Sequence, residues 1–312
     1  MKGISGFALA ALAQSASAHY IFSKLVVNGE VSKDWEYIRE TTRATNYLPT
    51  KFTNTFDNLT PNDNDFRCNL GSFSNAAKTG IAKVAPGDSV AMKLFYDGTI
   101  AHPGPGQMHM SKAPGKVVDY EGDGEWFKVY EKTLCNESGD LTKGAWCAYG
   151  MSEFEFDIPA NTPAGQYLLR AEHVGLHGAQ ANEAEFFYSC AQIEVSGSGN
   201  ATPEKTYKIP GMYNDSMTLF NGLNLWVDKV ATIKKDISET PIGDAISSGT
   251  GSAANSGSGS TSSGSTSSAA SSTSSTTSAA TPKSTSTSKS TSKSTSKAAG
   301  TVSNAADDTC SN

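Results

Sequence analysis

Apolar residues along this chain fall into short runs, not long helical stripes. Residues 20–27 are rich in aromatic and branched side chains and run into Asn28-Gly29, a two-residue turn signal. Residues 89–96 end at Asp97-Gly98, and residues 126–130, 154–158, 166–173 and 186–195 follow the same logic. Pro86-Gly87-Asp88 and Pro163-Ala164-Gly165 punctuate the intervals. Many short strands set off by turns predict an all-β fold, an immunoglobulin- or fibronectin III-like antiparallel β-sandwich with long loops. Residues 34–64 carry few strand signals and are read as one long functional or packing loop.

Both ends of the chain depart from this pattern. Lys2, an apolar stretch from Ile4 to Leu12 and the small-x-small triplet Ala16-Ser17-Ala18 read as a secretory signal over residues 1–18. Cleavage there makes His19 the mature N-terminus. From residue 247 the chain is nearly all Ser, Thr, Ala and Gly with a few lysines. Such a segment has little to bury and cannot offset its ordering entropy. Residues 247–312 are therefore expected to be a disordered, O-glycosylated tail, with residues 19–246 as the single folded domain. The tail also explains much of the low hydrophobic fraction, 37% of 312 residues. No run of 18 apolar residues exists to cross a membrane. Net charge is −6, and the tail contributes positive charge, so the domain is more acidic still. That argues against nucleic acid or an anionic membrane as partner and is compatible with a neutral polysaccharide. A secreted monomer is expected.

Secretion makes the cysteines candidates for disulfides. Cys310 lies beyond the low-complexity tail and is the odd one out. Cys68, Cys135, Cys147 and Cys190 could pair in three ways; a short Cys135–Cys147 loop with a long-range Cys68–Cys190 staple is favoured. Asn136 and Asn214 stand in N-glycosylation sequons, while Asn58 and Asn200 have a Pro after the Thr and are poorer acceptors. The four tryptophans are expected mostly in the core.

Histidine is the informative residue, because the chain has five and carries no Gly-x-Ser-x-Gly elbow, His-Glu-x-x-His or P-loop. A mature N-terminal His19 offers an amine and an imidazole to one metal ion, a chelate with little ordering cost. A third nitrogen would complete a planar all-nitrogen set, which suits Cu(II) more than tetrahedral Zn(II). His102 supplies a candidate, held in the rigid stretch His102-Pro103-Gly104-Pro105-Gly106. The residues that follow alternate like a strand and place His109 on one face. His109 and His173 are read as structural.

These residues resemble the fungal lytic polysaccharide monooxygenases of auxiliary activity family 9, formerly glycoside hydrolase family 61. The resemblance rests on His19 after the signal, His102-x-Gly104-Pro105, and the late Gly175-x-His177 with Ser189-Cys190-Ala191-Gln192. Residues 126–130, 163–170, 176–180 and 207–211 add to it, and it runs from His19 to about Asp228. It implies a β-sandwich with one copper ion on a flat face, held by His19 (amine and imidazole) and His102. By the same resemblance His177 is the neighbouring histidine that serves catalysis, Cys68–Cys190 is the long-range disulfide, and Tyr20 and Tyr213 contact substrate.

Two positions depart from the family pattern. A Gln-x-Tyr normally precedes the late Ser-Cys; here those positions are Glu185 and Phe187. Phe187 thus stands at the distant axial position, where bacterial relatives also carry Phe. Glu185, read as catalytic, accepts hydrogen bonds but cannot donate when ionised. The implied function is copper-dependent oxidative cleavage of β-1,4-glucans, cellulose or a related chain, at C1 and/or C4. Hydrogen peroxide or O2 would be co-substrate, and a small phenol or secreted dehydrogenase the external electron donor. The alternative is a copper- and polysaccharide-binding protein with little turnover, motivated by Phe187 and Glu185. A glycoside hydrolase would need two carboxylates flanking a cleft, and no pair stands out.

Overall fold

A computed structural model describes residues 19–246. The expected signal (1–18), the Ser/Thr-rich tail (247–312) and Cys310 lie outside the described residues. Two sheets form the frame. One has the order β2-β1-β4-β7, from β1 (Phe22–Val27), β2 (Glu30–Val31), β4 (Ser89–Leu94) and β7 (Glu153–Asp157). The other runs β3-β9-β8-β5-β6, from β3 (Ala82–Val84), β5 (Gly106–Lys112), β6 (Trp126–Lys132), β8 (Gly165–Gly175) and β9 (Glu185–Val195). All pairings are antiparallel except β3 with β9. The predicted β-sandwich is therefore present, and each predicted strand overlaps an observed one.

The alternation rule works best in β7, where Phe154 and Phe156 are buried and Glu155 and Asp157 exposed. β8 and β9 are instead buried along almost their whole length. One face of this hairpin, through Leu169, Ala171, Phe187 and Ile193, joins the core between the sheets. The other, through Leu168, Phe186, Tyr188 and Cys190, forms a second core under the long loops and the C-terminal segment. The loop at 34–64 makes only isolated bridges, Ile38 to Ala191 and Thr50 to Phe186. α1 (Val230–Ser238), which the sequence did not announce, buries Ile233 and Ile237 on this outer core. Trp126 and Trp146 are buried, as expected of most tryptophans, but Trp226 is 60% exposed.

Cys68 and Cys190 form a disulfide. The expected second bridge is corrected: Cys135 and Cys147 are free thiols. The isolated bridge between Leu134 and Trp146 makes the two cysteines diagonal neighbours, not a directly facing pair. They share a hydrogen bond instead, and burial followed by that bond pushes the Cys147 thiol up to about 12.

Candidate metal centre

One end of the β8–β9 hairpin assembles the site. Register pairs His173 with Phe187 and Gly175 with Glu185, and His177 stands in the turn just beyond β8. His19 leads into β1, and His102 sits in the loop before β5. That loop is laced to β8, since Val174 N donates to Pro105 O at 3.0 Å and Leu176 N to Pro103 O at 2.8 Å. The glycines of this region are structural necessities. Gly104 has φ +149°, and a Cβ there would lie 1.8 Å from the Val174 carbonyl oxygen. A Cβ on Gly175 would lie 3.1 Å from His102 Cβ and 3.4 Å from His177 Nδ1.

The structure brings His19, His102, His177, Glu185 and Phe187 together. Glu185 Oε2 lies 3.7 Å from His19 Nε2 and 3.6 Å from Nε2 of both His102 and His177. The His102 and His177 rings stack at 4.2 Å. Phe187 sits 5.8 Å from the His19 ring and 5.7 Å from the His102 ring, an apolar wall beneath them. Burial, then the His177 and His19 charges, holds His102 down at about 3. Burial and the Lys51 ammonium also lower His19, and burial, His19 and Lys51 lower His177. Burial raises Glu185 to about 7, against the opposing pull of Lys51. Neutral imidazoles keep the lone pairs that a metal needs.

The two tyrosines read as substrate contacts are corrected. Tyr213 is 1% exposed. Its ring packs 5.0 Å from Phe220 and 5.4 Å from Phe186, and its hydroxyl donates to Glu172 Oε1 at 2.6 Å. The segment after residue 213 folds over it through Leu219, Phe220 and Leu223, so its ring belongs to the outer core. Tyr20 is 6% exposed, its ring tilted against that of Phe187 at 4.4 Å, with its hydroxyl hydrogen-bonded to His173 Nδ1 at 2.7 Å. His109 lies fully buried in β5, away from the cluster. Two residues of the long loop had no motif to betray them. Lys51 donates to Glu183 Oε2 at 3.0 Å and lies 5.2 Å over Phe56, whose ring meets His19 edge-on at 6.5 Å.

The donors of His19, His102 and Glu185 all lie within 4.8 Å of one another. His102 Nε2, His177 Nδ1 and Glu185 Oε2 are buried without a hydrogen-bond partner. Such atoms are costly to bury unless something satisfies them, and a transition-metal ion among them fits. A β-sandwich carrying imidazoles and a carboxylate at the mouth of one hairpin presents a donor set of the kind that holds a metal ion. The profile of Auxiliary Activity family 9 (formerly GH61) matches residues 19–230, and the chain belongs to that family. It is 49% identical over 218 residues to AA9 family lytic polysaccharide monooxygenase D of Aspergillus tamarii, covering 70% of this chain and 79% of that protein. The enzyme of the same name from Emericella nidulans is 48% identical over 223 residues, 72% of this chain and 77% of that one. A cellulose-active polysaccharide monooxygenase from M. thermophila superposes with a TM-score of 0.53 at 25% identity, over 66% of this chain and 91% of its own. The extended catalytic domain of an H. jecorina enzyme shares the fold, with a TM-score of 0.55 at 22% identity over 75% and 99%.

Proposed function

We propose that this protein is a secreted, copper-dependent lytic polysaccharide monooxygenase that cleaves β-1,4-glucans oxidatively at C1 and/or C4. The observation that carries this reading is the convergence of His19, His102, His177 and Glu185 on one point. Removal of residues 1–18 would free the His19 amine, and that amine, the His19 imidazole and His102 would hold the ion. Copper supplies one-electron chemistry there, with an external donor such as a small phenol or secreted dehydrogenase and hydrogen peroxide or O2 as co-substrate. The chain's own residues do the rest. Gly104 and the Pro-rich loop fix His102, and stacking on His102 orients His177. His177 Nε2, 3.6 Å from Glu185 Oε2, is the nitrogen placed to hold or pass a proton at the site. Phe187 and Tyr20 close the inner side of the site with apolar surface. The half-buried Phe56 stands edge-on to His19. The tail from residue 247 serves as an O-glycosylated spacer, and Asn136 and Asn214, both exposed, are the N-glycan acceptors.

The test uses secreted protein with its N-terminus sequenced as His19, loaded with copper and incubated with cellulose and a reductant. Oxidised oligosaccharides in the mass spectrum are expected, and His102→Ala should abolish both them and copper binding. Absence of oxidised product across cellulose, xyloglucan and glucomannan, with copper still bound, favours the second reading. That reading, a copper- and glycan-binding protein with little turnover, draws on Glu185 and Phe187.

A further inference from the structure

We propose that Tyr96 and Trp226 are stacking platforms for sugar rings on either side of the candidate metal centre, so that a β-1,4-glucan chain lies across it. The proposal rests on the reading of the protein as a β-1,4-glucan monooxygenase and names the residues that seat the chain.

These are the two most exposed aromatic side chains among the described residues, Tyr96 at 84% and Trp226 at 60%. Topology puts both at the end of the fold that carries the histidines. β1 starts there, three residues after His19, and antiparallel pairing brings Leu94, the last residue of β4, opposite Phe22. Phe95 N then donates to Ile21 O at 2.9 Å, so Tyr96 follows at the same end of the four-stranded sheet. Trp226 belongs to the layer on the outer face of the five-stranded sheet, between the buried Leu225 and the start of α1. Gly222 N donates to Ala179 O at 2.8 Å, two residues beyond His177. Four residues of chain reach at most about 14 Å, so Trp226 stays within that distance of Gly222. Past Trp226 the chain is tied down at the same end again. Lys234 Nζ pairs at 2.8 Å with Glu137, in the loop that leaves β6 at Lys132, the residue opposite Gly106. The histidine cluster, at the end of β8 and β9, therefore stands between the layer that carries Tyr96 and the layer that carries Trp226.

Both rings are presented by constrained backbone. Tyr96 has φ +51° and ψ +31°, and Asp97 follows at φ +52°. Left-handed backbone is unfavourable for residues with a Cβ, and such strain collects where function needs it. The Tyr96 ring is backed by Phe95 at 3.8 Å. Trp226 sits in a turn closed by Asn224 N donating to Asp228 Oδ2 at 2.6 Å and Trp226 N donating to Asn224 Oδ1 at 3.1 Å. Leu223 and Leu225 are buried and anchor this turn. Aromatic rings held this way lose little entropy on binding. A pyranose ring of a β-1,4-glucan has a flat C–H face rimmed by hydroxyls, and tyrosine and tryptophan match it with a flat apolar body and a polar tip.

The experiment measures adsorption of mature, copper-loaded protein to microcrystalline cellulose without reductant, alongside Cu(II) affinity by calorimetry. Trp226→Ala and Tyr96→Gly should each weaken adsorption about three- to tenfold, and the double variant more. Trp226→Tyr should retain most of it, and Cu(II) affinity should not change. Tyr96→Gly should not lower the unfolding temperature, because glycine accepts the left-handed backbone. Adsorption lost in that variant is then not a loss of folding. Full adsorption by the double variant, or wild-type protein that does not bind cellulose, overturns the proposal. So does a wild-type dimer in sedimentation that Trp226→Ala converts to monomer, since the tryptophan would then be covered by a second copy. The parent reading fails differently: wild-type protein that adsorbs through the two rings yet takes up no copper keeps the platforms and overturns the monooxygenase.

Discussion

Both ring nitrogens of His109 are buried without a hydrogen-bond partner, in the middle of β5. Its strand neighbours are Lys128 on β6 and Arg170 on β8, and burial followed by these two cations holds its pKa well below 6.5. A buried imidazole with nothing to bond is costly, whereas an apolar ring of similar size is not. His109→Phe is therefore expected to stabilise the metal-free protein by about 1 kcal/mol. The gain should depend on pH in a defined direction. His109 takes up a proton below 6.5 only in the unfolded chain, so stability present above that pH is lost on acidification. The variant lacks this proton, and its advantage should widen by up to about 1.4 kcal/mol per pH unit below 6.5. Thermal unfolding from pH 8 to pH 5 checks it; an advantage that shrinks towards acid would refute the assignment. At this scale the sequence was most readable where chemistry is local. The proton and lone-pair inventory of His19, His102 and His177 is a property of the residues. Exposure is not: Tyr20 is covered by Phe187 and His173, far away in sequence, and Tyr213 by the irregular segment through Leu219, Phe220 and Leu223.

The element that makes the site is the β8–β9 hairpin together with the Pro-Gly loop before β5. Strand positions were legible because branched and aromatic residues cluster between turn residues. β8 and β9 could be located but not assigned one inner face, since they are covered on both sides. α1 has nine residues and only a few buried positions, too short to raise a helical period above its surroundings. Gly104 links element to site. A Cβ there would fall 1.8 Å from the Val174 carbonyl oxygen, which is backbone and cannot step aside. Gly104→Ala must push the loop off β8 and carry His102 with it. A destabilisation of about 2–3 kcal/mol is expected, with Cu(II) affinity weakened in the fraction that stays folded. Unfolding temperature and calorimetry read the two effects, and an alanine variant with native affinity would show that the loop does not fix His102.

At the scale of the whole molecule, the five-stranded sheet is sandwiched twice, by the other sheet on one face and by long loops and the C-terminal segment on the other. The second core explains why a chain read as a plain sandwich needs such long connections. Their hydrophobic residues, such as Phe66, Ile209, Leu219 and Ile242, show no periodicity because irregular backbone carries them. Cys68–Cys190 ties this layer to β9 across a sequence separation of 122. Closing so long a loop restricts the unfolded chain strongly, which is worth about 5 kcal/mol on the chain-entropy account. The double variant Cys68→Ala/Cys190→Ala should lose roughly that much stability. The side chains of the candidate site should stay in place, since His19, His102 and Glu185 are set by β1, the Pro-Gly loop and the β8–β9 register. Chemical denaturation and Cu(II) titration at a temperature where the variant is folded separate the two claims. A large loss of copper affinity in folded protein would mean that the loop layer, through Lys51 and Phe56, takes a direct part in holding the site.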